Sequence, residues 1–263
     1  MIQSRPIPRK SKQGIEKMRQ SCKAASIVLQ KISEGIKAGV STIELDKIAR
    51  RAIEELGGTP SFLGYKLPRH PPYPAAICAS INEQVVHGIP DGRKLVDGDI
   101  ISIDVGIFLD GYHGDNAFTF PIGQISDEVQ HLLDITQAAL YKGIEEAKSG
   151  NKLGDVCHAI QSYVESNGCS VVRDLVGHGI GRSMHEEPQI PNYGRPGSGP
   201  RLKPGMTLAI EPMVNAGTWD VKLLENSWTV VTADNSPSAH FEHTVAILSD
   251  GPEILTWNEE LWG

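Results

Sequence analysis

Residues 100–115 read IISIDVGIFLDGYHGD, two apolar runs joined by Asp110 and Gly111. An Asp-Gly pair between such runs is typical of a β-hairpin with a type I′ turn. A two-residue loop pairs Leu109 with Tyr112, and this pair sets the register of all the other cross-strand pairs. The stretch therefore predicts an antiparallel hairpin of two long strands.

This register brings two acidic residues onto one face of the hairpin. Asp115 lies opposite Gly106, and Asp104 shares a strand face with Gly106. The two aspartates are then diagonal neighbours with Cα atoms about 7–8 Å apart, so both carboxylates can reach a common pair of ions. The other face carries branched apolar residues that we expect in the core, namely Ile101, Ile103, Val105 and Ile107.

Length, charge and cysteine usage exclude several classes of protein. The chain has 263 residues, 40% of them hydrophobic, and a formal net charge of −7. No apolar run approaches the roughly 18 residues of a membrane span, and the net acidity argues against a protein that wraps nucleic acid. The four cysteines are scattered without a C-x-x-C pair, which fits neither a disulfide framework nor a zinc knuckle. We expect a globular protein of a reducing compartment.

Helical and strand-like segments alternate in the same order twice. Apolar residues at three- to four-residue spacing predict a first helix from about residue 15 to 36, and Ser41 opens a capping box for a second. Strand-like residues fill 59–123. Two further helices are expected at 126–147 and 153–167, and strands follow them.

This order reflects a weak internal repeat. Residues of the first half recur in the second in the same order: His87 with His178, Asp104 with Glu211, and Asp115 with Glu242. We expect one domain at 14–263, made of halves at about 14–123 and 124–255 related by approximate two-fold symmetry. Residues 1–13, with four basic residues and no acidic ones, are predicted to form a solvated arm, with contact to an RNA-rich partner as the alternative.

The symmetry places two carboxylates of each half opposite two of the other. Four facing carboxylates cannot all remain ionised unless cations neutralise them. His178, flanked by Gly177 and Gly179, adds a neutral imidazole that suits Mn, Fe, Co or Zn. Such an oxygen-rich site is typical of a dinuclear hydrolase and differs from a structural zinc site.

Eight short segments carry a family resemblance: 81–83 (INE), 86–90 (VHGIP), 103–105 (IDV), 113–115 (HGD), 177–181 (GHGIG), 184–188 (MHEEP), 210–212 (IEP) and 241–244 (FEHT). On these segments the chain resembles the type I methionine aminopeptidases from about residue 14 to 255. The resemblance implies the pita-bread fold, an α+β architecture in which helices cover a curved antiparallel sheet.

The resemblance also implies a role for each site residue. The ligands it implies for two divalent metal ions are Asp104, Asp115, His178, Glu211 and Glu242. Asp115 and Glu242 would bridge both ions, and Glu211 would also move a proton. His87 and His185 would hold the scissile peptide and stabilise the tetrahedral intermediate. The methionine pocket it implies is lined by Tyr65, Tyr73, Cys78 and Trp228, with Met184 nearby.

The implied activity is removal of the N-terminal methionine of nascent proteins when the second residue is small, by a monomeric cytoplasmic enzyme. The basic arm would contact the ribosome, and neither a membrane nor specific DNA is an expected partner. Two alternatives stay open, a proline-specific peptidase of the same fold and a metal-free pita-bread interaction module. An oxygen-using iron protein is disfavoured, because such sites use two histidines and one carboxylate.

Overall fold

The computed structural model describes residues 6–68 and 70–263. Residues 1–5, which include Arg5 of the predicted arm, and residue 69 lie outside the described part of the chain. Within the described part, none of the helices combines the length and hydropathy that a membrane span requires.

The helices occupy the predicted positions, with one corrected end. They are α1 (Lys12–Ser33), α2 (Thr42–Glu55), α3 (Asp127–Glu146), α4 (Leu153–Ser166) and a short α5 (Glu259–Trp262). The predicted capping box of α2 is present, with the Ser41 N–H donating to the Glu44 carboxylate at 2.9 Å. α1 ends at Ser33 rather than at Ile36, because the chain turns at Gly35, where α2 approaches closely. Ile36 lies just after this turn and packs against the buried apolar side chains of α1 and α2.

Fifteen strands follow in the described residues: β1 (Thr59–Pro60), β2 (Ile77–Ile81), β3 (Gln84–Val86), β4 (Ile100–Leu109), β5 (Tyr112–Pro121), β6 (Ser170–Val171), β7 (Val176–Gly179), β8 (Glu186–Pro191), β9 (Thr207–Ile210), β10 (Met213–Asn215), β11 (Val221–Leu223), β12 (Val230–Thr232), β13 (Ser238–His240), β14 (Glu242–Ile247) and β15 (Pro252–Ile254). Nine form one antiparallel sheet in the order β1-β4-β5-β14-β9-β7-β8, with β2 paired to β4 and β15 to β14. The predicted α+β architecture with an antiparallel sheet is confirmed.

The predicted hairpin is confirmed residue by residue. β4 and β5 pair antiparallel with Leu109 opposite Tyr112 and Gly106 opposite Asp115. Asp110 and Gly111 have φ angles of 50° and 85°, the left-handed pair that a type I′ turn requires. The four apolar residues on the other face are fully buried. Local sequence therefore sets the relative position of the two aspartates before any distant contact forms.

Each half of the sheet carries its own pair of helices. One apolar cluster joins α1 and α2 to β2 and β4, and the other joins α3 and α4 to β9 and β14. Within the nine-stranded sheet the halves meet where β5 pairs with β14, at two cross-strand pairs, Glu242 with Ala117 and His243 with Asn116. This seam lies in the middle of the sheet, as approximate two-fold symmetry predicts. In a smaller sheet, β3 of the first half also pairs with β12 of the second.

The segment before α1 is not the solvated arm that its basic composition predicts. The Lys10 N–H donates to the Gly205 carbonyl at 2.6 Å, and the Lys10 ammonium lies 2.6 Å from Glu186. Arg9 also donates from Nε to the Pro204 carbonyl at 2.8 Å. The prediction is wrong at Lys10, whose partners lie in the second half of the chain and leave no local sequence signal, whereas Pro8, Arg9 and Ser11 are exposed.

Candidate metal centre

Two adjacent rows of side chains on one face of the sheet bring the predicted carboxylates together. In the first row, Ala117 of β5 lies opposite Asp104 of β4 on one side and opposite Glu242 of β14 on the other. Directly opposed residues of antiparallel strands point to the same face. Glu211 follows β9 directly, and one more step of the β14–β9 register places it opposite Glu242. The first row thus holds three of the four carboxylates.

The second row holds the remaining two predicted ligands. Asp115 lies two residues before Ala117 on β5 and so shares its face. Across the seam, Thr244 donates from Oγ1 to the Asp115 carbonyl at 2.8 Å. Ala209 of β9 lies opposite both Thr244 and His178, so His178 enters the same face from β7.

The side chains converge to ligand distances. Carboxylate oxygens of Asp104, Asp115 and Glu242 all lie within 4.8 Å of one another. His178 Nε2 lies 3.8 Å from Oδ2 of Asp115 and 3.6 Å from Oε1 of Glu211. The structure therefore brings all five predicted ligands together from four strands and the residue after β9.

Burial and mutual charge make this cluster costly for a protein without cations. Burial raises the pKa of Asp104 to about 7. Burial and the nearby carboxylates raise the pKa values of Asp115 and Glu242 well above their ordinary range, and burial does the same to the pKa of Glu211. Within the described residues, no lysine or arginine pairs with any of the four, so the site depends on protons or metal ions for neutrality.

Unpartnered atoms show that the site fits metal ions. Among the described residues, Oδ1 of Asp104, Oδ1 of Asp115 and Oε1 of Glu242 are buried and find no hydrogen-bond donor. Buried acceptors of this kind normally have a partner, and hard divalent cations are bound by carboxylate oxygens. The donor set of four carboxylates and one imidazole accordingly fits divalent metal ions.

His178 has the hydrogen bond that a metal-binding histidine needs. Its Nδ1 lies 2.9 Å from the Gly179 carbonyl oxygen, which can only accept a proton. Nδ1 must therefore carry the hydrogen, and the lone pair of Nε2 points toward the carboxylates. Burial lowers the pKa of His178 to about 3, so the ring is neutral near pH 7.

His240 is a site residue that the sequence analysis did not predict. Its Nε2 lies 3.5 Å from Oε2 of Glu211, and the residue is 1% exposed. In the repeat it corresponds to His113, which lies 2.8 Å from Ser61. The signal in the sequence was its position in the repeat, two residues before Glu242, although the structure places it at the end of β13 rather than on β14.

An apolar cavity of about 270 Å³ opens onto the metal centre. Its lining includes all four residues of the predicted pocket, which are Tyr65, Tyr73, Cys78 and Trp228. Phe62, Leu67 and Leu175 also line it and were not predicted. Met184 does not line this cavity but packs, 4% exposed, in the apolar cluster beside it. The Trp228 ring donates from Nε1 to the Pro71 carbonyl at 3.0 Å, which anchors the proline-rich loop over the cavity.

The two predicted catalytic histidines line the same cavity. The ring of His87 lies edge-on to Trp228 with 6.3 Å between centroids, and burial lowers its pKa to about 4. His87 has a φ of 59°, an uncommon conformation for a residue with a Cβ that recurs at functional sites. The ring of His185 lies 4.3 Å from that of His178, and its Nδ1 is 2.7 Å from the Tyr65 hydroxyl.

A second cavity of about 400 Å³ adjoins the first. The two share His178 and His185, and the wall of the second includes Pro6 and Pro8. The two cavities therefore meet at these histidines, next to the carboxylate cluster.

Comparison with known proteins agrees with this geometry. The pattern of metallopeptidase family M24 matches residues 16–249. Methionine aminopeptidase 1 of Bacillus subtilis is 54% identical over 239 residues, which cover 91% of this chain and 94% of that protein. The crystal structure of methionine aminopeptidase from Rickettsia prowazekii has a TM-score of 0.93 at 43% identity, covering 96% of this chain and all of that chain.

More distant structures share the fold alone. Prolidase from Pyrococcus furiosus has a TM-score of 0.75 at 21% identity, and this chain spans 66% of its length. The predicted pita-bread fold is thereby confirmed, while the higher identities favour the predicted resemblance over the proline-specific alternative. The chain belongs to metallopeptidase family M24 and, within it, to the methionine aminopeptidases.

Proposed function

We propose that this protein hydrolyses the peptide bond after an N-terminal methionine, with nascent polypeptides as its substrates. The observation that carries the proposal is the apolar cavity that is lined by Asp104 and Glu211 of a four-carboxylate cluster, in which Asp104, Asp115 and Glu242 each have a buried oxygen without a hydrogen-bond partner. The cavity suits an unbranched apolar side chain, and the carboxylates suit the metal ions that peptide hydrolysis uses.

Two divalent ions of the group Mn, Fe, Co and Zn complete the proposed site. Asp115 and Glu242, the central pair across the seam, would contact both ions. Asp104 would complete one ion's ligands, and His178 with Glu211 those of the other. When bound, such ions act as Lewis acids that make a water molecule nucleophilic near neutral pH.

The remaining chemistry falls to the chain's own side chains. Glu211, whose pKa burial raises well above its ordinary range, can accept a proton from water and return it to the leaving amine. His87 and His185, at the rim of the carboxylate cluster, hold the scissile peptide and donate hydrogen bonds to the developing oxyanion. With its lowered pKa, His87 does so as neutral imidazole.

Specificity follows from the two cavities. Tyr65, Tyr73, Cys78 and Trp228 would enclose the methionine side chain. The second residue would lie beside the packed rings of His178 and His185, whose centroids are 4.3 Å apart. We further propose a monomer of the cytoplasm, with ribosome contact through the exposed basic residues of the N-terminal segment, such as Arg9.

Peptide hydrolysis tests the proposal directly. Met-Ala-Ser should be cleaved after methionine by metal-loaded protein, and chelated protein should regain this activity when a divalent ion is restored. Met-Phe-Ser and Leu-Ala-Ser test the second-residue and first-residue limits, and Leu-Pro tests the proline-specific alternative. Cleavage of Leu-Pro but not of Met-Ala-Ser, or full activity after exhaustive chelation, contradicts the proposal.

A further inference from the structure

Lys10 and Glu186 form a buried ion pair beside the metal centre. Lys10 Nζ lies 2.6 Å from Oε2 of Glu186, and the two side chains are 6% and 10% exposed. They are 176 residues apart in the chain. Exposed ion pairs contribute little, whereas a buried pair that loses one partner leaves an uncompensated charge. This pair therefore constrains the segments that carry it.

Lys10 is held in place by more than its ion pair. Its N–H donates to the Gly205 carbonyl at 2.6 Å. Directly after it, Ser11 caps α1 by accepting the Gly14 N–H at 3.2 Å. The lysine is consequently fixed at the start of a 22-residue helix and at the loop before β9. It offers Glu186 a rigid partner rather than a flexible one.

Gly181 packs against both members of the pair. A Cβ atom at this position would overlap Lys10 Cε and lie 2.7 Å from Oε1 of Glu186, so a larger residue would displace one of the two side chains. The Gly181 carbonyl accepts the His113 N–H at 2.8 Å. Gly181 thus connects the ion pair to β5, because His113 lies on that strand, two residues before Asp115.

Glu186 stabilises the loop between β7 and β8, which carries His185. It is the first residue of β8, and its Oε1 accepts the Ser183 N–H at 3.2 Å across the connection from β7. His185 is the adjacent residue, and its ring lies between the Tyr65 hydroxyl and the His178 ring. Any rotation of the Glu186 side chain toward solvent would release Ser183 and tilt His185.

We propose that Lys10 is a positioning residue for His185. By neutralising Glu186 inside the protein, Lys10 holds the loop between β7 and β8 in the conformation that aims the imidazole at the substrate. The inference rests on the proposed function, in which His185 contacts the scissile peptide. This role makes Lys10 part of the catalytic site's support, although no described side chain of the N-terminal segment reaches the carboxylates.

Replacing Lys10 with Met tests the proposal against a matched control. Lys10→Met keeps the aliphatic stem and removes the charge, and Lys12→Met makes the same change at an exposed position two residues away. We expect kcat on Met-Ala-Ser to fall about a hundredfold in Lys10→Met, as for an approximately 1 Å misplacement of a reacting group, with KM little changed. Lys12→Met should match the unchanged protein. A Lys10→Met protein with unchanged kcat overturns the proposal.

A double-mutant cycle separates positioning through Glu186 from any other effect of Lys10. Glu186→Gln alone should reduce kcat. The kcat of the double variant should be no lower than that of the worse single variant, because both changes break the same ion pair. Independent, multiplying losses would mean that Lys10 does not act through Glu186, and would overturn the proposal.

Hydrogen exchange supplies a readout that does not need activity. In Lys10→Met we expect faster amide exchange confined to residues 181–187, with α2 and β4 unchanged. Faster exchange throughout the chain would indicate a merely structural role and overturns the proposal. If the unchanged protein fails to cleave Met-Ala-Ser, the proposed function fails, while the exchange data still report whether Lys10 fixes this loop.

Discussion

Asp104 of β4 and Glu242 of β14 lie opposite the same residue, Ala117, from its two sides. Alternate strands of a sheet are about 9.6 Å apart, yet oxygens of these two carboxylates come within 4.8 Å of each other over the alanine methyl. A small residue at 117 is therefore what leaves space for ions between the two side chains.

Enlarging residue 117 should weaken metal binding without removing a ligand. Ala117→Val adds two methyl groups where the carboxylates converge, and overpacking of this kind costs about 1–3 kcal/mol. We expect at least about a tenfold rise in the Kd for Mn²⁺ or Co²⁺ by isothermal titration calorimetry. Ala117→Ser, which hardly changes the volume, is the control. Equal affinities for the valine and serine variants contradict this account.

Removing the Glu242 carboxylate should reduce metal binding and activity more than enlarging the neighbouring residue 117 does. Glu242→Gln keeps the shape of the side chain but removes the negative charge from the seam. Since losing an outer-shell partner already costs about 10- to 100-fold, we expect at least about a hundredfold loss of Met-Ala-Ser turnover. Bound metal per chain, measured by elemental analysis, should fall in parallel. Glu187→Gln, on an exposed acid of β8, serves as control.

The metal-free protein should become less stable as pH rises above 6.5. Burial raises the pKa of Asp104 to about 7, above the value of about 3.9 in an unfolded chain. Between these values the folded state binds a proton that the unfolded state lacks, so stability falls as pH rises through the folded pKa. The lowered pKa values of His87 and His178 make stability increase with pH instead. They do so only below about pH 6.5, the pKa of histidine in an unfolded chain.

Thermal unfolding in the presence of a chelator measures this slope. The Tm should drop between pH 6.5 and pH 8, and added metal should reduce the drop because cations replace protons at the carboxylates. Asp104→Asn should show a shallower dependence. A metal-free Tm that rises over this interval would contradict the assignment of raised pKa values to the site.

Shortening Trp228 should affect substrate binding more than chemistry. The ring lines the apolar cavity and also holds the Pro71 carbonyl. Trp228→Ala removes apolar contact worth up to about 1.5–3 kcal/mol, so we expect KM for Met-Ala-Ser to rise about tenfold or more. Trp228→Phe keeps the wall and loses only the hydrogen bond. Trp219→Ala, at a tryptophan outside the cavity lining, should leave KM unchanged.

Sequence alone predicted those parts of the molecule that depend on local signals or on the repeat. The two-residue turn at Asp110 set the register of the hairpin, and with it the shared face of Asp104 and Asp115. The repeat predicted that Glu211 and Glu242 would lie near them, and the strand register brings Glu242 and Asp104 to the two sides of Ala117. Both inferences needed only residue spacing and the period of a strand.

The rest depends on contacts between distant segments. The partner of Lys10 lies 176 residues away, so nothing in the local sequence of this basic segment predicts the ion pair. His240 was missed because its proximity to Glu211 arises from the crossing of β13 toward β10. Leu67 and Leu175 line the cavity but belong to no sequence motif, so they were not predicted. Only the tertiary packing of the chain brings them to the cavity.

The seam between β5 and β14 has a consequence for how the protein folds. Its two cross-strand pairs, Ala117 with Glu242 and Asn116 with His243, join residues that are 125 and 127 positions apart in the chain. Such non-local pairings form late, because a long loop must close before they are made. The hairpin carrying Asp104 and Asp115 can form early by itself. A complete set of carboxylates exists only once the second half has closed onto the first, so a half-folded chain cannot act as a peptidase.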